Sequence, residues 1–229
     1  MGCDLHSHLI PGIDDGAPTP EAGLSLVKGL QDLGFKKIIT TPHVHGDFYP
    51  NTKEQILKSY EEQKLFLKSH EVSVDFEIGA EYYLDNYFLK EVLPHGLLSF
   101  GDRYVLMEVS LAGWPKNIDE LIFSTQSKGY KIIMAHPERY LYEPRIEVFE
   151  KWKEKGVFFQ LNLPSISGYY NKHVRQRSED LLAAGLYDFL ATDMHHERHL
   201  KNLNMLLHNG QSLLVRLKDY GHFKNLGLL

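Results

Sequence analysis

The chain has 229 residues, 43% of them hydrophobic and 24% charged, which are globular values that exclude extensive disorder. A net charge of −5 with no Lys/Arg block argues against a nucleic-acid tracker or an anionic-membrane binder. A single cysteine, Cys3, excludes an intramolecular disulfide and a multi-thiolate zinc site, and no apolar run nears the roughly 20 residues of a membrane span. The start, Met1-Gly2-Cys3-Asp4-Leu5-His6, turns polar too early for a secretory signal, so the expectation is a soluble cytoplasmic protein without membrane insertion.

Short apolar runs alternate with segments of helical period, the βαβα rhythm of a parallel sheet wrapped by helices. A first strand lies at Leu5. A helix follows with Thr19 as N-cap and Pro20 at its first position, carries Leu26, Val27, Leu30 and Leu33 on one face, and stops at Gly34. The second strand is Lys37 to Thr41. Asn51 and Glu54 form a cap-like pair before a helix carrying Ile56, Tyr60 and Leu67. Strand three is Val74 to Ala80, strand four Tyr104 to Val109 and strand five Lys131 to Ala135, with helices between them at Asn86–Leu93 and Ile118–Ser127. A helix with Ile146, Phe149 and Trp152 precedes strand six, Val157 to Leu161. A helix around Leu181, Leu182 and Leu186 precedes strand seven, Phe189 to Thr192. Helical segments from about Leu200 to Leu217 close the chain. Seven strand–helix units suit a small or distorted (β/α) barrel, an α/β fold, better than an open sheet, as a single domain over 1–229.

Thirteen histidines stand out, and their positions carry the functional reading. His6 and His8 follow strand one, His43 follows strand two, Glu81 ends strand three and Glu108 lies near the end of strand four. His136 ends strand five, and Asp193 and His195 end strand seven. Parallel barrels assemble active sites at these carboxyl ends, so the joint placement predicts a metal centre. Imidazole and carboxylate ligands without thiolate favour Zn, Mn, Fe(II) or Co. The ligand count exceeds one mononuclear site and implies two or three divalent ions, with a carboxylate such as Glu81 bridging. His70, His95, His173, His208 and His222 lie in or beside helices and read as surface or packing residues. Tyr49, Tyr82 and Tyr140 sit beside ligand loops as candidates to line a cleft. Cys3 lacks the downstream arginine of a cysteine-phosphatase loop, so a thiolate nucleophile is not expected.

Asp4-Leu5-His6-Ser7-His8, Ile13-Asp14-Asp15-Gly16, Thr41-Pro42-His43, Gly79-Ala80-Glu81, Met107-Glu108, Ala135-His136-Pro137-Glu138-Arg139-Tyr140 and Thr192-Asp193-Met194-His195 resemble the polymerase and histidinol phosphatase (PHP) superfamily. More narrowly they resemble its bacterial protein-tyrosine phosphatases of capsule and exopolysaccharide operons, from Cys3 to about Leu206. The resemblance implies the distorted (β/α)7, TIM-like PHP barrel and a trinuclear metal site, with Mn ahead of Fe, Zn or Co. It also implies hydrolysis of phosphotyrosine on the tyrosine-rich tail of a cognate bacterial tyrosine kinase. Under it, His6, His8, Glu81 and Asp193 hold one metal, Glu81, Glu108 and His136 the second, and Asp15, His43 and His195 the third. Either Asp14 or Asp15 is the ligand of this motif: the second aligns with the family ligand, and the first is the alternative, unless it caps the turn at Gly16. Arg139 takes the phosphate-binding role, for which a guanidinium fork is suited.

One departure concerns the last motif. The family often continues with Asn and a later arginine, whereas this chain reads His195-His196-Glu197-Arg198-His199-Leu200. Arg198 substitutes for that arginine, or His199 serves as leaving-group acid. A small-molecule phosphatase such as histidinol phosphatase and a non-enzymatic metal-binding scaffold are the rival readings, and a homo-oligomeric state stays open.

Overall fold

A computed structural model describes residues 2–209, 211–221 and 223–225. Among them the strands are β1 (Cys3–Asp4), β2 (Lys37–Thr40), β3 (His43–Val44), β4 (Asp75–Ile78), β5 (Glu81–Tyr83), β6 (Tyr104–Glu108), β7 (Lys131–Ala135), β8 (Phe158–Asn162) and β9 (Phe189–Ala191). The helices are α1 (Pro20–Asp32), α2 (Lys53–Ser69), α3 (Ile118–Ser127), α4 (Ile146–Glu154), α5 (Leu163–Ser167), α6 (Lys172–Ala183), α7 (Glu197–Asn209) and α8 (Gln211–Tyr220). His222 and the remaining positions of the expected 1–229 domain lie outside the described residues. No helix among them is long and apolar enough to cross a membrane.

Every ladder is parallel, in two sheets ordered β1-β2-β4 and β3-β5-β6-β7-β8-β9. The expected second and third strands are each broken in two. Their lower halves, β2 and β4, join β1 in one sheet, β2 pairing with β1 and β4 with β2, and their upper halves, β3 and β5, continue toward β6. Pro42 removes a ladder N–H at the first break. Gly79 sits at the second, where an added Cβ would lie 2.8 Å from the Phe100 ring. Glu81 therefore opens an upper strand instead of ending a continuous one. This splitting is what distorts the seven-unit barrel.

The barrel closes between its first and last strands through side chains as well as backbone. Asp4 accepts from the Thr192 N–H (2.9 Å) and hydroxyl (2.8 Å), and the His8 N–H donates to the Met194 carbonyl (2.8 Å). Asn225 ties the same seam below, donating to the carbonyls of Cys3 (2.8 Å) and Leu190 (2.7 Å). Leu5, Ile39, Leu106, Ile133, Ala135, Phe189 and Ala191 fill the barrel interior with Phe100. Each fully buried Leu, Ile or Phe there contributes roughly 1.5–3 kcal/mol. The helices bury a second, outer layer, for which Leu26, Val27 and Leu30 are the α1 contribution.

Three local expectations are corrected. The α2 cap is Thr52, whose hydroxyl accepts from the Gln55 N–H while the Gln55 side chain returns to the Thr52 N–H, one residue past the expected Asn51–Glu54 pair. Asn51 instead donates to the carbonyls of Ile13 (2.8 Å) and His43 (2.9 Å), pinning two loops together. The segment expected as a helix at Asn86–Leu93 forms a π-type turn at Phe88–Val92 and a 3-10 turn at Leu93–His95, since Pro94 removes an N–H needed to continue. Tyr82 and Tyr140 belong to the core: each hydroxyl is spent on backbone, with Leu98 and with Ala135 and Val109 respectively.

Candidate metal centre

All nine side chains expected as ligands converge at the carboxyl ends of the strands. Glu81 is the hub. Its Oε2 lies 3.1 Å from His6 Nε2, 3.3 Å from His8 Nε2 and 3.2 Å from His43 Nδ1, and its Oε1 lies 3.2 Å from His136 Nε2. Glu108 reaches His43 Nδ1 at 3.4 Å. Asp193 Oδ1 stands 3.2 Å from His6 Nε2 and 3.3 Å from His195 Nδ1. Half-exposed Asp15 spans the mouth, 3.5 Å from Nε2 of both His43 and His195. Ligand atoms lie within 4.8 Å of one another in four groups: His8, Asp15, His43 and His195; His6, His8 and Asp193; His6, Glu81 and His136; His43, Glu81 and Glu108. This grouping overlaps the family partition, and differs from it by joining His8 to the mouth cluster, His6 to His136, and His43 in place of His136 to Glu108.

Local chain geometry explains the convergence. His136 (φ 34°) and Asp193 (φ 50°) hold left-handed backbone that costs a non-glycine residue about 1–3 kcal/mol each. That bend turns both side chains from the strand ends over the barrel mouth. The first Asp of Asp14-Asp15-Gly16 is the turn-former: Oδ1 accepts from the Gly16 N–H (2.9 Å), and Oδ2 accepts from His8 Nδ1 (2.8 Å) and the His43 N–H (3.1 Å). Gly16 is obligatory, because a Cβ there would stand 2.2 Å from the His8 carbonyl oxygen. Asp15 is thereby left to face the cavity.

The electrostatics suit cations. Burial would raise the Glu81 carboxyl, but the His6 and His43 imidazoles hold it well below the usual range, and Asp193 is lowered in the same way, with His6 and His195 foremost. Burial opposes the charged form of His6, yet Glu81 and Asp193 lift it to about 9; Glu81 and Glu108 lift His43 to about 10. His6 Nε2 and His8 Nε2 face each other at 3.2 Å, an acceptor pair unless a proton or cation lies between them. His136 Nδ1 is buried without a protein partner. A donor set of imidazoles and carboxylates with no sulfur, crowded around two buried carboxylates, fits divalent ions.

A cavity of about 300 Å³ opens onto Asp15, His43, Glu81, Glu108, His136, Asp193 and His195, while His6 and His8 are fully buried. Arg139 lines it too: Nη1 lies 3.4 Å from Asp193 Oδ2, and the guanidinium sits 5.0 Å over the Tyr170 ring. His199 lines it from α7, its Nδ1 3.0 Å from the Asp193 carbonyl, and burial pulls its pKa down to about 4. The ring is then neutral at neutral pH and holds no imidazolium proton to donate. Arg198 is exposed on the first turn of α7 and does not line the cavity. Tyr49 stacks on His43 at 5.5 Å.

Three site residues escape the sequence reading. Tyr170, in the loop after α5, forms a cavity wall. Gln160 and Asn162 on β8 touch His6 and Asp193. Two amides alternating within the apolar run Phe158-Phe159-Gln160-Leu161-Asn162 were the available signal. Cys3 is far from this chemistry in kind: buried at the base of β1, its thiol is pushed up, mainly by burial. Cys3→Ser is expected to leave turnover close to wild type with unchanged metal content, checked by steady-state kinetics and elemental analysis; a large loss at full metal content would implicate sulfur.

Comparison with known proteins agrees with this geometry. Residues 2–206 match the family model described as capsular polysaccharide synthesis, CpsB/CapC. The tyrosine-protein phosphatase YwqE of Bacillus subtilis is 27% identical over 220 residues, covering 95% of this chain and 85% of the relative. The tyrosine-protein phosphatase CpsB of Streptococcus agalactiae is 27% identical over 204 residues, covering 84% and 82%. Among solved structures, one from work on YwqE of Bacillus subtilis and CpsB of Streptococcus pneumoniae, described as metal-dependent tyrosine phosphatases, superposes with a TM-score of 0.78 at 26% identity, covering 87% of this chain and 83% of that one. An amidohydrolase from Mycoplasma synoviae shares the fold alone, with a TM-score of 0.60 at 15% identity.

Proposed function

We propose that this chain, which belongs to the CpsB/CapC family of capsular polysaccharide synthesis proteins, is a metal-dependent phosphatase that hydrolyses phosphotyrosine in protein substrates. The observation that carries the reading is the joint presence, in one cavity, of the His/Asp/Glu cluster and the Arg139 guanidinium. His6, His8, Asp15, His43, Glu81, Glu108, His136, Asp193 and His195 would hold two or three divalent ions, with Mn our choice ahead of Fe, Zn or Co. When bound, such ions supply nucleophile activation at neutral pH and neutralise charge in an in-line displacement.

The chain's own residues account for the rest. Arg139 binds non-bridging phosphoryl oxygens with a fork that cannot lose its charge. Tyr170 holds that fork from one face and walls the cavity. The departing phenolate has a parent pKa near 10 and needs less protonation than an alkoxide. With His199 neutral and Arg198 outside the cavity, a leaving group of low basicity suits a site without an evident general acid. We further propose that the physiological substrate is the tyrosine-rich tail of a bacterial tyrosine kinase that regulates capsule or exopolysaccharide synthesis, met in the cytoplasm by a single-domain phosphatase. Support comes from the family and from a cavity shallow enough to leave Asp15 half exposed, open to a flexible tail.

The test compares kcat/KM on sequence-matched phosphotyrosine and phosphoserine peptides and on histidinol phosphate. A strong preference for phosphotyrosine is expected. Equal peptide rates would refute the leaving-group argument, and a preference for histidinol phosphate would move the chain to small-molecule hydrolysis.

A further inference from the structure

β8 is the barrel strand from which the cluster draws no His, Asp or Glu. Its inward positions are nonetheless polar. The ladder sets Gln160 opposite Ala135 and Phe189, and Asn162 opposite Ala191, so both amides project with residues of the barrel interior. Both are fully buried, in a place where apolar side chains would pack without cost.

Their hydrogen bonds form one directed chain. Gln160 Oε1 lies 3.0 Å from His6 Nδ1, Gln160 Nε2 donates to Asn162 Oδ1 (2.7 Å), and Asn162 Nδ2 donates to Asp193 Oδ2 (2.7 Å). The direction is set at the acidic end. An ionised carboxylate only accepts, so Asn162 must present its NH₂ to Asp193 and its oxygen to Gln160. Gln160 must then present its NH₂ to Asn162 and its oxygen to His6. That oxygen requires a proton on His6 Nδ1, so the proton a bound cation would displace is the one on Nε2, the nitrogen facing Glu81 and Asp193. At the other end, Asn162 holds Oδ2 of Asp193 and leaves Oδ1 turned toward His6, His8 and His195, at 3.2, 3.6 and 3.3 Å.

We infer that Gln160 and Asn162 are positioning residues of the metal centre: one amide pair sets the tautomer of His6 and the rotation of Asp193, and so governs metal affinity without touching the metal. The inference rests on reading the cluster as a metal centre. Hydrogen-bonded partners of ligating groups typically govern metal affinity by about 10–100-fold.

The experiment measures Mn²⁺ binding by calorimetry on the chelated full-length chain, alongside thermal unfolding. The double variant Gln160→Met/Asn162→Leu removes the Gln160–Asn162 bond from both sides, which is close to neutral; Asp193 Oδ2 keeps Arg139 and Tyr170, whereas His6 Nδ1 and the His136 N–H lose their acceptor. The variant is expected to unfold at a somewhat lower temperature and to bind Mn²⁺ about 10–100-fold more weakly. A folded double variant with wild-type affinity would overturn the inference. Wild type that takes up no Mn²⁺, Zn²⁺ or Fe²⁺ would instead overturn the metal-centre reading beneath it. Should the double variant fail to fold, the single variants Gln160→Met and Asn162→Leu decide the matter. Each is expected to bind Mn²⁺ more weakly than wild type, and wild-type affinity in both folded single variants would contradict the positioning role.

Discussion

Glu81→Ala is expected to abolish phosphotyrosine turnover, by roughly 10⁴-fold or more, the scale on which a central member of a catalytic unit is lost. Both oxygens of this carboxylate are engaged, against four imidazoles, and the group is almost wholly buried. It stands in two of the convergent ligand groups, with His6 and His136 and with His43 and Glu108. Its removal therefore empties the middle of the cluster and should lower metal stoichiometry as well as rate. Glu81→Gln keeps the shape and removes the charge, and should resemble Ala in rate while folding better. Elemental analysis beside kinetics checks this; full activity in either variant would show that the hub is not needed.

Arg139→Ala should lower kcat by about 10²–10³, the usual cost of deleting a charge stabiliser aimed at the transition state, with metal content unchanged. Among the described residues the guanidinium meets Asp193 at 3.4 Å and the Tyr170 ring at 5.0 Å, and its side chain stays 25% exposed. A long contact to Asp193 is a poor structural salt bridge, and Asp193 keeps the shorter Asn162 bond when Arg139 is gone. Arg139→Lys should recover part of the rate, since charge returns without the planar fork. An Ala variant that loses metal or unfolds would assign Arg139 a structural role instead.

The convergence of the candidate ligands was legible because it follows a topological rule. In a parallel barrel, a residue that ends a strand faces the mouth, and His43, Glu108, His136 and Asp193 could be placed from hydrophobic runs alone. Asp14 and Asp15 divided as turn chemistry suggests, with the first accepting from Gly16. What failed depended on contacts distant in sequence. The breaks at Pro42 and Gly79 shift strands two and three between sheets, which periodicity within one strand does not register. Gln160 and Asn162 read as interruptions of an apolar run, because an amide announces no chemistry until its partners 154 and 31 residues away are known. Tyr170 sits in a loop whose path follows from the short helix α5. Arg198 and His199 adjoin in sequence, yet one helical step separates a solvent-facing guanidinium from a buried imidazole.

The most direct test of a metal-dependent mechanism is turnover of a phosphotyrosine peptide by chain verified metal-free by elemental analysis, followed by titration with Mn²⁺, Fe²⁺, Zn²⁺ and Co²⁺ in turn. The account predicts no measurable turnover without metal and recovery that saturates at two or three ions per chain. Full turnover by the verified metal-free chain would contradict it.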